Sequence, residues 1–106
     1  MTALQIPELP SLEHLHFTEF DKVYEPAEDS FLFVDALTSD AALLQSLMPG
    51  ISLEIGSGSG VITSHLSAIL AAGGKKALHL TTDINAYATK TTLRTAVANS
   101  VPALEV

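Results

Sequence analysis

The segment Leu53-Glu54-Ile55-Gly56-Ser57-Gly58-Ser59-Gly60 places an acidic residue two positions ahead of three alternate glycines. It reads as a buried strand that ends at an acid and turns into a helix. Glycine has no Cβ, so a nucleotide-like ligand can lie directly against such a turn. The spacing separates two chemistries. A dinucleotide fingerprint needs G-x-G-x-x-G, and counting from Gly56 puts Val61 where the last glycine belongs. Glu54 would also repel a pyrophosphate, whereas the ammonium and sulfonium of S-adenosylmethionine (SAM) are cationic. The spacing and the acid suit SAM better than NAD. A G-x-x-x-x-G-K-[ST] phosphate loop is absent from the sequence.

Asp83 adds a second group. It stands at the end of the next expected strand, where a carboxylate in a doubly wound sheet can accept hydrogen bonds from both ribose hydroxyls. An aspartate after a strand is also a common helix cap, and Glu54 could be a supporting carboxylate that binds the amides of the glycine turn. Together the turn and Asp83 favour a nucleoside-type ligand over a bare connection.

Other reactive residue types carry less. His14, His16, His65 and His79 make no metal-ligand pattern, and His65 and His79 are expected as isolated core residues. Ser57 and Ser59 have no histidine placed to activate them, so they are expected to have backbone roles in the turn. Thr89, Thr91 and Thr92 are expected on the surface of the last helix.

These groups need elements to hold them. Residues 1–22, broken by Pro7 and Pro10, read as a partly extended arm, with Phe17 or Phe20 expected to dock on the body. Residues 23–106 read as the domain. Pro26 suits a first helical turn, and Glu28 and Asp29 complement its dipole. That helix is expected to turn Phe31, Leu32, Val34 and Leu37 to the core. A short helix follows Asp40 as N-cap and stops before Pro49-Gly50. Then come a strand over 51–55 and a helix over 61–72, whose Ile62, Leu66, Ile69 and Leu70 face the core. Gly73-Gly74 closes that helix, before a strand over 77–82. A helix over 86–98, capped by Asn85, and a strand opening within 101–106 complete the series. Strand and helix alternate, which implies right-handed crossovers and a parallel sheet.

Composition sets the limits. The 106 residues allow at most one domain, and 47% hydrophobic content is ordinary for a globular chain. The absence of cysteine excludes a disulfide framework and a thiolate metal site, and fits a reducing, intracellular setting. No signal peptide is read at the N-terminus, and the apolar runs are too short to span a bilayer. A formal charge of −7, with five Lys plus Arg, opposes direct binding to nucleic-acid phosphates.

Four segments taken together resemble one family: Val23-Tyr24-Glu25-Pro26-Ala27-Glu28-Asp29-Ser30, Phe31-Leu32-x-x-Asp35-Ala36-Leu37, the glycine turn through Val61, and Thr82-Asp83-Ile84-Asn85. They resemble the eukaryotic and archaeal HemK-like protein glutamine methyltransferases, which modify the Gly-Gly-Gln glutamine of class 1 translation termination factors. The glycine motif is widespread among methyltransferases, and the Tyr24 to Asp29 segment is the more specific part. The resemblance implies an α/β chain holding the N-terminal part of a Rossmann-like class I SAM-dependent methyltransferase fold, with an incomplete parallel sheet. It implies SAM as cofactor, with Ser30 helping to hold it, Glu54 and Gly56 at its methionine end and Asp83 on its ribose, and it adds Tyr24, Glu28, Gly58 and Ile84 to the cofactor-binding set. A termination factor as substrate, a small zinc-binding activator subunit as partner, and a cytoplasmic or nuclear setting are implied likewise.

The chain also departs from that pattern. The family's Asn-Pro-Pro-Tyr motif, which holds the target amide in line with the methyl group, does not occur in these residues, and neither does the acidic residue after the third strand. No catalytic residue is therefore assigned, and the residues by themselves are expected to be inactive. Two further readings stand beside the first: a nucleic-acid amino-methyltransferase, disfavoured by the acidic balance, and a non-enzymatic truncated fragment that binds a partner.

Overall fold

The computed structural model describes residues 7–101 and 104–105. Residues 1–6 of the arm lie outside the described residues, as do 102, 103 and 106 in the region of the third strand. The order is a 3-10 turn Phe17–Asp21, α1 Glu28–Ser39, α2 Ala41–Leu47, β1 Ile51–Ile55, α3 Val61–Ala72, β2 Leu78–Thr82, α4 Ala86–Ala98 and β3 Leu104–Glu105. The strands form a parallel sheet in the order β1-β2-β3. Consecutive parallel neighbours need crossovers, and right-handed ones put α3 and α4 on the same face.

That face is the polar one. In the β1–β2 register Ser52 pairs with His79 and Glu54 with Thr81. His79 and Thr81 are buried, Ser52 Oγ lies 2.6 Å from His79 Nδ1, and Thr63 of α3 donates to Glu54. The alternate residues Ile51, Leu53, Ile55 and Leu78 point the other way and are exposed, Ile55 at 81%. Parallel sheets are normally covered on both faces. Here the apolar face of β1 and β2 carries no cover among the described residues.

Packing around α3 makes the core. Val34, Ala41, Val61, Ile69, Leu70, Ala88 and Ala96 are buried, and α1, α2 and α4 all touch α3. Helix α1 begins at Glu28, with Ala27 as N-cap, so Pro26 precedes the first turn instead of entering it. Of its expected core residues Val34 is buried and Leu37 is half-buried, but Phe31 and Leu32 are exposed. A helix packed on one neighbour buries one narrow stripe, and adjacent residues at 31–33 project around the axis away from it. Asp40 caps α2 by position but makes no side-chain cap bond. Asn85 caps α4 through Oδ1, which accepts the Tyr87 amide at 3.0 Å.

The arm lies along α4. Ser11 and Asn99 exchange bonds of 2.7 and 2.9 Å, His14 Nε2 is 2.8 Å from Thr95 Oγ1, and Arg94 pairs with Glu19. Phe17 is 76% exposed, whereas Phe20 is half-buried. His16 spends its side chain capping the 3-10 turn. Among the described residues no helix is long and apolar enough to cross a membrane.

Candidate functional site

Between β1 and α3 the chain passes through Gly56, Gly58 and Gly60, all at positive φ (78°, 56° and 87°). L-residues pay for that conformation, which is the local reason for the glycines. The turn is tied inward. The amides of Gly56 and Ser57 donate to Thr82 O at 2.7 and 3.1 Å, the Gly58 amide to Asp83 Oδ2 at 2.9 Å, and the Gly60 amide to Ser57 O at 2.9 Å. With these protons used by the protein, the turn is not an anion nest of the phosphate-loop kind. A Cβ added to Gly56 or Gly58 would meet nothing within 4 Å, so open space lies in front of both.

That space continues into a cleft of about 550 Å³ between α1, β1 and α3. Asp29, Ser30 and Phe33 line it from α1, Glu54 and Gly56 from the strand and turn, and Thr63 from α3. Glu54 is half-buried, and its Oε1 accepts the Thr63 hydroxyl proton at 2.6 Å. Burial pushes the Glu54 carboxyl above its ordinary value, the Thr63 bond opposes that rise, and the nearby Asp83 charge adds to it. A cationic group in the cleft would meet a carboxylate already oriented and poorly hydrated, where attraction is stronger than in water.

The structure brings some of the expected residues together and leaves others apart. Ser30, Glu54 and Gly56 line the cleft. Ser30 Oγ also accepts the Ala27 amide at 3.4 Å, closing the first turn of α1. Gly58 and Asp83 stand beside the cleft, joined by their hydrogen bond. Ile84 is wholly exposed past the end of β2, and Tyr24 ahead of α1 and Glu28 at its first residue are exposed. None of these three lines the cleft. The alternative roles are exchanged: the carboxylate that holds a turn amide is Asp83, and Glu54 takes a helix hydroxyl instead.

Some site residues escaped the sequence reading. Thr63 was legible only as a small polar residue one turn beyond a strand-end acid. Ile62, Leu66 and Leu37, expected in the core, line the cleft. Thr91 and Thr92 are buried rather than on the surface, because α4 turns its threonine face toward the glycine turn and α3. Ser57 and Ser59 are buried too, and Ser57 uses its side chain as well as its backbone, its Oγ accepting the Thr92 hydroxyl. His65 and His79 are buried at isolated core positions, as expected.

Comparison with known proteins places this geometry. The chain is 44% identical to "Methyltransferase HEMK2" of Mus musculus over 101 residues, covering 95% of the chain and 44% of that protein. It is 47% identical to "Methyltransferase HEMK2" of Homo sapiens over 88 residues, 83% of the chain and 39% of that protein. It is 40% identical to "eRF1 methyltransferase catalytic subunit mtq2" of Schizosaccharomyces pombe over 94 residues, 85% of the chain and 40% of that protein. No family model matches the chain. The chain spans about two fifths of the length of these relatives.

Proposed function

The chain belongs to the HemK-like methyltransferases, and from that premise we propose that its cleft is the SAM-binding side of a protein glutamine methyltransferase. The single observation that carries the SAM reading is the half-buried, Thr63-oriented carboxylate of Glu54 facing the same opening as the bare Gly56. The cleft fits the group. It offers an acid for the ammonium and sulfonium, space in front of glycines that lack Cβ, and amides at Gly56, Ser57, Gly58 and Gly60 that are already tied inward. SAM supplies an electrophilic methyl group when bound.

Ser30, Glu54 and Gly56 would hold the methionine end. Asp83 would accept ribose hydroxyls through lone pairs left over from its two amide bonds, since each carboxylate oxygen accepts more than one proton. Tyr24, Glu28, Gly58 and Ile84 complete the proposed set from the rim, and Ile84 offers an apolar contact outside the cleft.

The acceptor side is a proposal about the longer protein of which relatives are examples. By likeness to mtq2 the acceptor would be a translation termination factor and a second subunit would be the partner. The Gly-Gly-Gln glutamine as methylated residue and a small zinc-binding partner are what the family resemblance implies. Such a protein would work in the cytoplasm, with the nucleus as a second compartment. The uncovered face of Ile51, Leu53, Ile55 and Leu78 favours packing with more of such a domain. No Asn-Pro-Pro-Tyr occurs in the 106 residues, so the acceptor-positioning groups are not among them.

Two measurements test this. Calorimetry with SAM should show binding that Asp83→Ala abolishes, and unchanged affinity in the variant would sink the ribose assignment. A radiolabel assay with a termination factor should show no transfer by these residues alone. Turnover there would show that the family's acceptor motif is dispensable.

A further inference from the structure

Helix α4 meets the glycine turn from behind, on the side away from the cleft. Its Thr92 is buried and touches three residues of the turn. The single Thr92 hydroxyl proton is shared between Ser57 Oγ at 2.8 Å and the Gly58 carbonyl at 3.1 Å. Its backbone fills the place a side chain would take at Gly60, where an added Cβ would stand 2.9 Å from Thr92 Cα. From the other side Asp83 holds the amide of the same Gly58 at 2.9 Å. Gly58 is therefore held at both ends of its polar backbone, by α4 at its carbonyl and by the end of β2 at its amide.

We propose that Thr92 is a positioning residue for the cofactor turn, setting through Ser57 and Gly58 the shape that Gly56 presents to the methyl donor. It touches no ligand. Its neighbour Thr91 is buried on the same helix, yet among the described residues its hydroxyl bonds only the helix's own Tyr87 carbonyl at 2.8 Å. The two threonines are alike in composition and burial and differ in whether they reach the turn. The proposal rests on the SAM reading for its consequence in binding, but the ordering of the turn does not.

The test compares Thr92→Val, Thr92→Ser and Thr91→Val in the 106-residue chain by amide hydrogen exchange without ligand and by calorimetry with SAM. Thr92→Val keeps the shape and deletes the donor, leaving Ser57 Oγ and the Gly58 carbonyl short of a buried partner. Losing one such bond should speed exchange at the bonded amides of Gly58 and Gly60 and weaken SAM by about fivefold to tenfold. Thr92→Ser should restore both to within about twofold, since its hydroxyl remains. Thr91→Val should move neither.

Unchanged exchange and affinity in Thr92→Val would overturn the proposal. So would equal damage in Thr92→Ser, which would assign the effect to the methyl group, or in Thr91→Val, which would assign it to the helix. If the parent chain does not bind SAM, the SAM reading fails and the exchange arm alone decides the positioning role. Should Thr92→Val not fold, Ser57→Ala removes one partner of the same hydroxyl. Unaltered exchange at Gly58 in that variant would likewise overturn the proposal.

Discussion

Asp83 Oδ2 accepts the Gly58 amide proton at 2.9 Å, so the residue after β2 holds the turn after β1. Its other oxygen accepts the Asn85 amide at 2.9 Å, one residue before α4 begins. One side chain thus joins the glycine turn to the helix that lies behind it. Loss of SAM in Asp83→Ala would combine a lost ribose contact with a loosened turn. Asp83→Asn keeps an acceptor for one of the amides and should lie between the variant and the parent.

Two glycines of the turn, Gly60 and Gly56, should respond differently to alanine. At Gly60 the new Cβ would stand 2.9 Å from the Thr92 backbone at φ 87°, and strain adds to overlap. Urea unfolding should show a loss of about 2 to 4 kcal/mol. Gly56→Ala has φ 78° but open space, so the loss should be about 1 to 2 kcal/mol. Its methyl group would instead enter the cleft and weaken SAM by about tenfold or more. Equal stability losses at the two positions would refute the packing of α4 on Gly60.

Glu54 should make the fold less stable as it ionises. Its folded carboxyl titrates above its ordinary value, chiefly through burial. A group raised on folding contributes stability below its unfolded pKa and loses it as pH rises through the folded one. Glu54→Gln should therefore raise the melting temperature at neutral pH, and the advantage should vanish in acid as the parent carboxyl protonates. The same variant should lose SAM. A variant less stable than the parent at neutral pH would contradict the burial penalty.

The buried histidines predict the opposite trend near neutrality. Thr38 Oγ1 donates its proton to Val34 O at 3.0 Å, so at 2.8 Å it accepts one from His65 Nε2. The proton on Nε2 is thereby placed and Nδ1 is left unpartnered, and burial lowers the pKa of both His65 and His79. Their contribution is present above the ordinary histidine value of 6.5 and is lost as pH falls through the folded values. The urea midpoint should drop on acidification below that value. Thr38→Val leaves the His65 N–H without its acceptor and should cost about 1 to 3 kcal/mol at neutral pH. No cost there would show that α1 does not depend on this bond to stay on α3.

Much of the architecture was legible because its signals are local. The spans of β1, α3 and α4 follow from Leu53 to Ile55 running into glycines, from Gly73-Gly74, and from Asn85 as cap, each acting within a few residues. Phe31 and Leu32 were misread because hydrophobicity records a tendency to bury and says nothing of which stripe of α1 finds a neighbour. Thr91 and Thr92 were misread in the opposite sense. A hydroxyl can be buried when a partner such as the Tyr87 or Gly58 carbonyl meets it, and partners distant in sequence leave no local trace.

By itself the sequence determined the alternating parallel plan, the glycine turn with its acid, and the methyltransferase likeness carried by Tyr24 to Ser30. Each depends on residue type and short spacing, through backbone freedom at glycine, charge at Glu54 and periodicity in the helices. Only the tertiary structure decided that Asp83 holds the turn, that Thr63 orients Glu54, and that Thr92 lies behind Gly60. It also decided that the polar face of β1 and β2 is the covered one. These are contacts between elements, governed by strand register and the side of the sheet to which each crossover returns, and neither is encoded within any single segment.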